Sequence, residues 1–212
     1  MSVAIEPLRP EGFRTLLAEG IPDFGLSLSR ETVDRIAAFL AELDRWRRKV
    51  NLTGKLGPIE LVSHALESVL GEQFLPPSAR VVDVGTGGGF PGVPIAIARP
   101  DLQVTWLEPR EKRAAFLRHI ARAVPVGNAA VLAGRLESLP PGSFDSGTSR
   151  AVRVDAKAIG KAEFLRRGGV LLLWTTSPDR LKPMLASGGL ELEEVLPIPG
   201  TSRRAIGVFR RL

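Results

Sequence analysis

The chain of 212 residues has no cysteine and only two histidines, His64 and His119. Without cysteine, disulfides, thiolate zinc sites and cysteine nucleophiles are excluded. The two histidines lie far apart in sequence, so we expect no metal site. Long apolar runs are also missing, and none approaches the roughly 18 residues that span a bilayer. Because residues 1–10 lack the basic-then-apolar pattern of a secretory signal, we expect a soluble cytoplasmic protein with no membrane partner.

The composition favours a folded protein with a slight excess of positive charge. Apolar residues make up 44% of the chain, enough to bury a full core. Lys and Arg number 29 against 23 Asp and Glu, giving a net charge of +6. This balance suits a polyanionic partner such as nucleic acid, although many soluble proteins carry a similar excess.

The first part of the chain is predicted to be helical. A short helix is expected around Gly12 to Glu19, and Ser29 is a plausible N-cap for a second helix. Apolar residues then recur at helical spacing: Val33, Ile36, Ala37, Leu40, Leu43 and Trp46. This helix ends in the basic run 45–49, and Pro58 opens a third helix through about Leu70. We assign residues 1–76 to an N-terminal helical extension.

Residues 77–212 alternate strands and helices. The predicted strands are Arg80–Val84, Gln103–Leu107, Ala129–Leu132, Phe144–Ser149, Gly169–Trp174, Leu190–Leu196 and Ala205–Arg210. One predicted helix follows the first strand and ends near Ala98. Three more cover Glu111–Ala123, Asp155–Leu165 and Pro178–Ala186. This alternation indicates an α/β fold with a doubly wound, mostly parallel sheet. Only residues 197–202 separate the last two strands, which predicts an antiparallel C-terminal pair in a seven-stranded Rossmann-like sheet.

A glycine-rich loop, residues 85–92, follows the first predicted strand. Its glycines allow backbone N–H groups to approach a ligand closely. Gly87, Gly89 and Gly92 satisfy the dinucleotide pattern, so a dinucleotide-binding regulator is one interpretation. Asp83, two residues before the first glycine, would repel a pyrophosphate and suits a cationic, amine-bearing ligand such as S-adenosylmethionine.

Two further acids follow neighbouring strands. Glu108 ends the second strand, where a carboxylate accepts hydrogen bonds from the ribose hydroxyls of an adenosine. Proteins that bind NAD use the same arrangement, so Glu108 indicates a nucleoside without choosing the cofactor. Glu137 follows the third strand, where its side chain could border an adenine.

Several motifs together make the chain resemble a known family. They are Asn51-Leu52-Thr53, His64 with Ser68, residues 83–92, Lys112-Arg113 with Phe116-Leu117, and Thr148-Ser149-Arg150-Ala151. From about Ile36 onward the sequence is similar to the RsmG (GidB) family of methyltransferases. The resemblance implies an S-adenosylmethionine-dependent enzyme that methylates N7 of a guanine in 16S ribosomal RNA. Its partner would be that RNA or the small ribosomal subunit, and we expect a monomer.

The resemblance also implies which residues contact the cofactor: Gly85, Phe90, Leu136, Glu137 and Arg150. With Asp83, Gly87 and Glu108 they form the predicted cofactor site. Arg150 ends the fourth strand, beside the point where α/β sheets bind ligands, and its guanidinium could hold the methionine carboxylate.

The substrate side is predicted from the same comparison. Its candidate residues are Asn51, Thr53, His64, Ser149 and Arg203. The basic run 45–49 would hold RNA phosphates while Asn51 and Thr53 border the guanine. Guanine N7 carries a lone pair and no proton, so no general base is required, and the sequence assigns no catalytic residue.

Three departures from the family lie near the substrate side. A lysine is common just after the fifth strand, where this chain reads Leu173-Trp174-Thr175. Gly147 interrupts the fourth strand, which would weaken it, and Ser202-Arg203-Arg204 replaces a more typical arginine–histidine pair. A methyltransferase acting on a protein or small molecule therefore stays an alternative, as does an RNA-binding protein without catalysis.

Overall fold

A computed structural model describes residues 6–54, 56–150, 159 and 162–212. Seven strands form one sheet: β1 Arg80–Val84, β2 Gln103–Leu107, β3 Ala129–Leu132, β4 Phe144–Arg150, β5 Leu165–Thr175, β6 Leu190–Pro197 and β7 Ala205–Arg211. The strand order is β3-β2-β1-β4-β5-β7-β6. The first five strands pair in parallel, and β7 runs antiparallel to both β5 and β6. The predicted mixed sheet with a reversed C-terminal strand is confirmed.

Six α-helices are defined in the described residues: α1 Pro10–Gly20, α2 Arg30–Trp46, α3 Pro58–Leu70, α4 Gly92–Ala98, α5 Glu111–Ala123 and α6 Pro178–Ala186. Ser29 caps α2, because its side chain accepts a hydrogen bond from the Thr32 N–H. Proline opens α1, α3 and α6, where its missing N–H leaves no donor unpaired. None of these helices is both long and apolar enough to cross a membrane.

The N-terminal helices share their core with one face of the sheet. Phe13 of α1, Phe39 of α2 and Leu66 of α3 are fully buried in the same hydrophobic cluster as Val81 of β1 and Trp106 of β2. Because successive side chains of a strand point to opposite faces, Val82 lies in a second hydrophobic cluster on the other face, with Leu171 and Phe209. The N-terminal helices therefore cover one face of the sheet. The boundary between residues 76 and 77 stays a prediction.

The fifth strand is longer than the sequence pattern predicts. β5 begins at Leu165 rather than Gly169, and Leu165 pairs with Phe144 before the register shifts ahead of Ser146. Because of this irregularity, buried and exposed side chains do not alternate along the first half of β5, so the sequence pattern gives no strand signal there. Leu165 is the last residue of the helix predicted over Asp155–Leu165, and that residue is in a strand. The rest of that prediction lies mainly on residues outside the described ones.

Gly147 keeps its place in the β4 ladder, between Val82 and Leu171. A Cβ atom at this position would lie 2.8 Å from the ring of Phe164, which fills the space beside the strand. The glycine that the sequence marks as a weakness therefore makes room for an aromatic side chain in the core.

Candidate functional site

A cavity of about 690 Å³ opens at the carboxyl ends of β1, β2 and β4. Its lining includes Asn51, Thr53, His64, Gly85, Gly87, Phe90, Glu108, Leu136, Glu137, Ser149 and Arg150. The fold thus brings together every predicted site residue except Asp83 and Arg203. This location is where open α/β sheets bind ligands, and the volume is typical of a small-molecule site. Ligand contacts of the individual residues stay predictions.

The glycine loop forms the floor of the cavity. The N–H groups of Gly85 and Thr86 donate to the Leu107 carbonyl, at 2.8 and 3.2 Å, so the loop is tied to the end of β2. Gly85 and Gly87 have φ values of 74° and 55°, a left-handed conformation that glycine adopts without strain. The loop thereby presents backbone rather than side chains to the cavity.

The Glu108 side chain lies against this loop. Its Oε2 accepts a 2.9 Å hydrogen bond from the Gly87 N–H, and Oε1 accepts one of equal length from the Arg110 N–H. The residue is only 2% exposed. Besides its predicted contact with a ribose, Glu108 therefore fixes the loop, which the sequence did not reveal.

Asp83 lies beneath the glycine loop and is fully buried. Its Oδ2 accepts a hydrogen bond from the Gly92 N–H and its Oδ1 one from the Thr148 hydroxyl, at 3.0 and 2.9 Å. Burial raises the pKa of Asp83 to about 6. The carboxylate is absent from the cavity lining. Its visible role is to join β1, β4 and the start of α4, and direct contact with a ligand stays a prediction.

His64 of α3 lies at the wall of the cavity, edge-on to the Phe90 ring at 5.7 Å between centroids. Burial, and then the nearby charges of Arg150 and Arg204, lower the pKa of His64 to about 3. The imidazole is therefore neutral at physiological pH and can accept one hydrogen bond while donating another. Next to it, the Ser149 hydroxyl donates to the Val84 carbonyl at 2.9 Å.

The Arg150 guanidinium is enclosed by protein groups. It lies over the rings of Phe90 and Trp174, 5.8 and 5.9 Å from their centroids. Nη1 contacts Glu67 at 3.1 Å and Nη2 donates to the His64 carbonyl at 3.3 Å. Burial lowers the pKa of Arg150 to about 10, so it stays charged at neutral pH. Among the described residues, its buried Nε has no partner.

Glu67, Trp174 and Arg204 lie outside the cavity lining but form a connected set of contacts behind Arg150. From the sequence, Trp174 and Arg204 were named only as departures from the family, and Glu67 was not named. Trp174 donates from Nε1 to the Glu67 carbonyl at 2.9 Å and occupies the segment where the family often has lysine. Arg204 contacts Glu67 at 2.6 Å, whereas its neighbour Arg203 is exposed and absent from the cavity lining. The available signal was Glu67 itself, an acid one helical turn after His64 among the apolar residues Ala65, Leu66 and Val69 of α3.

The segment Asn51–Gly54 packs directly on the glycine loop. A Cβ atom at Gly88 would lie 2.8 Å from Thr53 Cγ2 and 3.1 Å from the Leu52 carbonyl oxygen, so only glycine allows this approach. Arg113 Nη2 donates to the Asn51 carbonyl at 3.1 Å. The buried Thr53 hydroxyl has no hydrogen-bond partner within the described part of the chain. Thr53 therefore lines the cavity while its hydroxyl oxygen is enclosed by protein.

The basic run 45–49 is partly used inside the protein. Arg47 has a side chain that is 16% exposed, contacts Asp44 and donates to the Leu56 carbonyl. Arg45 contacts Glu42 at 2.7 Å but is 60% exposed, and Lys49 is exposed. These contacts hold the Arg47 guanidinium at the end of α2 and argue against it as a phosphate ligand, and phosphate binding by the run stays a prediction.

Comparison with known proteins gives a consistent result. Residues 32–179 match the family described as "GidB: rRNA small subunit methyltransferase G". The ribosomal RNA small subunit methyltransferase G of Desulfotalea psychrophila is 34% identical over 214 residues, covering 93% of this chain and 98% of that protein.

Solved structures support the fold. A SAM-dependent methyltransferase from Aquifex aeolicus superposes with a TM-score of 0.56 at 17% identity, over 68% of this chain and 87% of its own. M. jannaschii TYW2, solved in complex with AdoMet, superposes with a TM-score of 0.53 at 19% identity. The superposition covers 71% of this chain and 77% of TYW2. Both likenesses place the sheet in the methyltransferase fold.

Proposed function

Because the chain belongs to the rRNA small subunit methyltransferase G family, we propose that it methylates a guanine of 16S ribosomal RNA at N7, using S-adenosylmethionine. The observation that carries this proposal is the cavity at the ends of β1, β2 and β4. It joins a backbone-lined glycine loop, a buried acid at the end of β2 and a buried arginine at the end of β4.

The described residues fit the proposed cofactor. Glu108 lines the cavity and would accept hydrogen bonds from the ribose hydroxyls, and the loop at Gly85 and Gly87 would let the ligand approach the backbone. Leu136 and Glu137 would border the adenine. Arg150 lines the cavity with a side chain that is 15% exposed, and its guanidinium would donate to the methionine carboxylate. When bound, S-adenosylmethionine supplies an electrophilic methyl group.

On the substrate side, the protein would align and desolvate the target base. N7 needs no deprotonation, so the neutral His64 would serve as a hydrogen-bonding partner rather than as a base. Asn51 and Thr53 both line the cavity, and Asn51 is exposed. Alignment of two bound reactants contributes roughly 7–11 kcal/mol in favourable cases. Since N7 lies in the narrow major groove of A-form RNA, the guanine would have to leave its helix.

We assign these two tasks to the two predicted parts of the chain. Residues 1–76 supply Asn51, Thr53 and His64, and residues 77–212 supply the cofactor half with Glu108 and Arg150. The partner of the first part would be the ribosomal RNA itself or the small subunit that contains it.

The direct test is methylation of small subunits from cells that lack this protein. Purified protein and S-adenosylmethionine should produce one new N7-methylguanine, located by chemical cleavage at the modified base and primer extension. The Glu108→Ala variant serves as the negative control. Methylation of another base, another guanine position or only of protein would contradict the proposal.

A further inference from the structure

The Glu67 carboxylate is a buried charge shared between two arginines. Its Oε2 lies 3.1 Å from Arg150 Nη1 and its Oε1 lies 2.6 Å from Arg204 Nη1. The Ser63 hydroxyl also donates to Oε1, at 3.2 Å. The Glu67 side chain is 1% exposed, against 37% for Arg204. One carboxylate thus joins α3, the end of β4 and the segment before β7.

Stability alone is a weak reason for this arrangement. Removing a carboxylate and a guanidinium from water costs several kcal/mol per ion, which their attraction often only balances. The cluster also holds two positive charges against one negative charge. Its geometric effect is clearer, because each oxygen of Glu67 engages a different arginine and so fixes where both guanidinium groups lie.

The orientation of Arg150 depends on this contact. The guanidinium lies over the rings of Phe90 and Trp174, but such contacts restrict its rotation only weakly. The in-plane anchors are Glu67 and the His64 carbonyl, both on α3. Arg150 lines the cavity and keeps 15% of its side chain exposed, so these two anchors determine which part of the guanidinium meets a ligand.

We infer that Glu67 is a positioning residue that orients Arg150 to receive the cofactor carboxylate, with Arg204 as its second anchor. This inference rests on the proposed function. Without the shared anion, the guanidinium groups of Arg150 and Arg204 would repel each other, and Arg150 would lose one of its two in-plane anchors. The carboxylate of the ligand would then meet a displaced donor.

The test compares two probes by calorimetry. S-adenosylhomocysteine contains the amino-acid carboxylate, whereas 5′-methylthioadenosine has the adenosine and the sulfur but no carboxylate. Glu67→Gln should weaken binding of S-adenosylhomocysteine about tenfold, as expected when a charged hydrogen bond is removed, and leave 5′-methylthioadenosine binding unchanged. Arg204 is partly exposed, so Arg204→Gln should fold normally. It should weaken S-adenosylhomocysteine binding less than Glu67→Gln does, because Glu67 loses its second anchor but keeps its contact with Arg150.

Asp44→Asn is the matched control. Asp44 is also a buried helical carboxylate that contacts two arginines, Arg47 and Arg48, but it lies outside the cavity lining. This substitution should lower the melting temperature without changing the ratio of the two affinities. A purely structural role for Glu67 would give the same pattern in Glu67→Gln and would overturn the inference.

The remaining outcomes are also decisive. Tighter binding of S-adenosylhomocysteine by Glu67→Gln would show that Glu67 only competes with the ligand, and would overturn its positioning role. If Arg150→Gln loses the preference for S-adenosylhomocysteine but Glu67→Gln keeps it, the inference fails and the proposed cofactor site stands. If the unmodified protein binds both probes equally, the carboxylate contact of Arg150 fails, and the inference with it.

Discussion

The Gly92 N–H donates a 3.0 Å hydrogen bond to Asp83 Oδ2, which fastens the end of the glycine loop to the buried end of β1. Burial raises the pKa of Asp83 from 3.8 to about 6. Since the folded protein favours the protonated acid, its contribution to stability is greatest below about pH 4 and is lost as the pH rises to about 6.

Replacing Asp83 by Asn should remove this pH dependence. Relative to the unmodified protein, Asp83→Asn should gain about 3 kcal/mol of unfolding free energy between about pH 3 and 8, the equivalent of the pKa shift. Denaturant unfolding of both proteins at several pH values measures this difference and cancels the other titrating groups. A difference that stays constant with pH would contradict the prediction.

Glu108→Gln should weaken S-adenosylmethionine binding by about 1–3 kcal/mol, because the variant loses a charged hydrogen-bond acceptor for the ribose and for the Gly87 N–H. Calorimetry measures the affinity. Glu111→Gln, at an exposed acid of α5, provides the control and should bind normally. Equal affinity in the Glu108 variant would remove the ribose assignment.

Gly88→Ala should reduce methyl transfer by displacing the Asn51–Gly54 segment, because the added methyl group would overlap Thr53 Cγ2. Combining it with Thr53→Ser, which removes that methyl group and keeps the hydroxyl, should restore part of the rate. Single-turnover assays on small subunits would measure both. If the double variant is no faster than Gly88→Ala, the contact between the two segments does not limit the reaction.

The rate of the chemical step should be constant between about pH 6 and 9, because N7 carries no proton and His64 stays neutral in that range. Single-turnover methylation across this interval is the measurement. A tenfold rise per pH unit would instead indicate an acceptor that the enzyme must deprotonate.

Arg45 and Lys49 should bind RNA phosphates, since both are exposed at the end of α2. The double variant Arg45→Ala with Lys49→Ala should flatten the slope of log affinity against log salt by roughly 0.7–0.9 for each phosphate that is no longer neutralised. Arg47→Ala should mainly lower stability, because Arg47 is paired with Asp44. An unchanged slope in the double variant would place the RNA elsewhere.

Most elements could be predicted because local patterns determine them. The helical spacing of α2, its Ser29 cap and the short apolar strands each carry their own signal, so α2 and strands such as β1 lie where they were expected. The predicted range of β5 was too short, because the register shift near its start interrupts the alternation of side chains that marks a strand.

The site was predictable as a set of residues but not as a set of contacts. The carboxyl ends of parallel strands meet at one edge of the sheet, so Gly85, Glu108 and Arg150 had to converge. Other contacts depend on tertiary packing: the Asp83 carboxylate points beneath the loop, Arg47 pairs with Asp44, and Glu67 contacts Arg204. No sequence period encodes a contact between residues that are 137 positions apart, as Glu67 and Arg204 are.

The position of β7 constrains how the chain can fold while it is being synthesised. β7 lies between β5 and β6, yet the ribosome makes it after both. Until β7 emerges, β5 presents an unpaired edge that carries Leu171, Leu172 and Leu173, and β6 has no neighbour in the sheet. An apolar open edge invites pairing with other chains. The nascent protein therefore passes through an aggregation-prone stage that ends only when the β6–β7 hairpin docks onto β5.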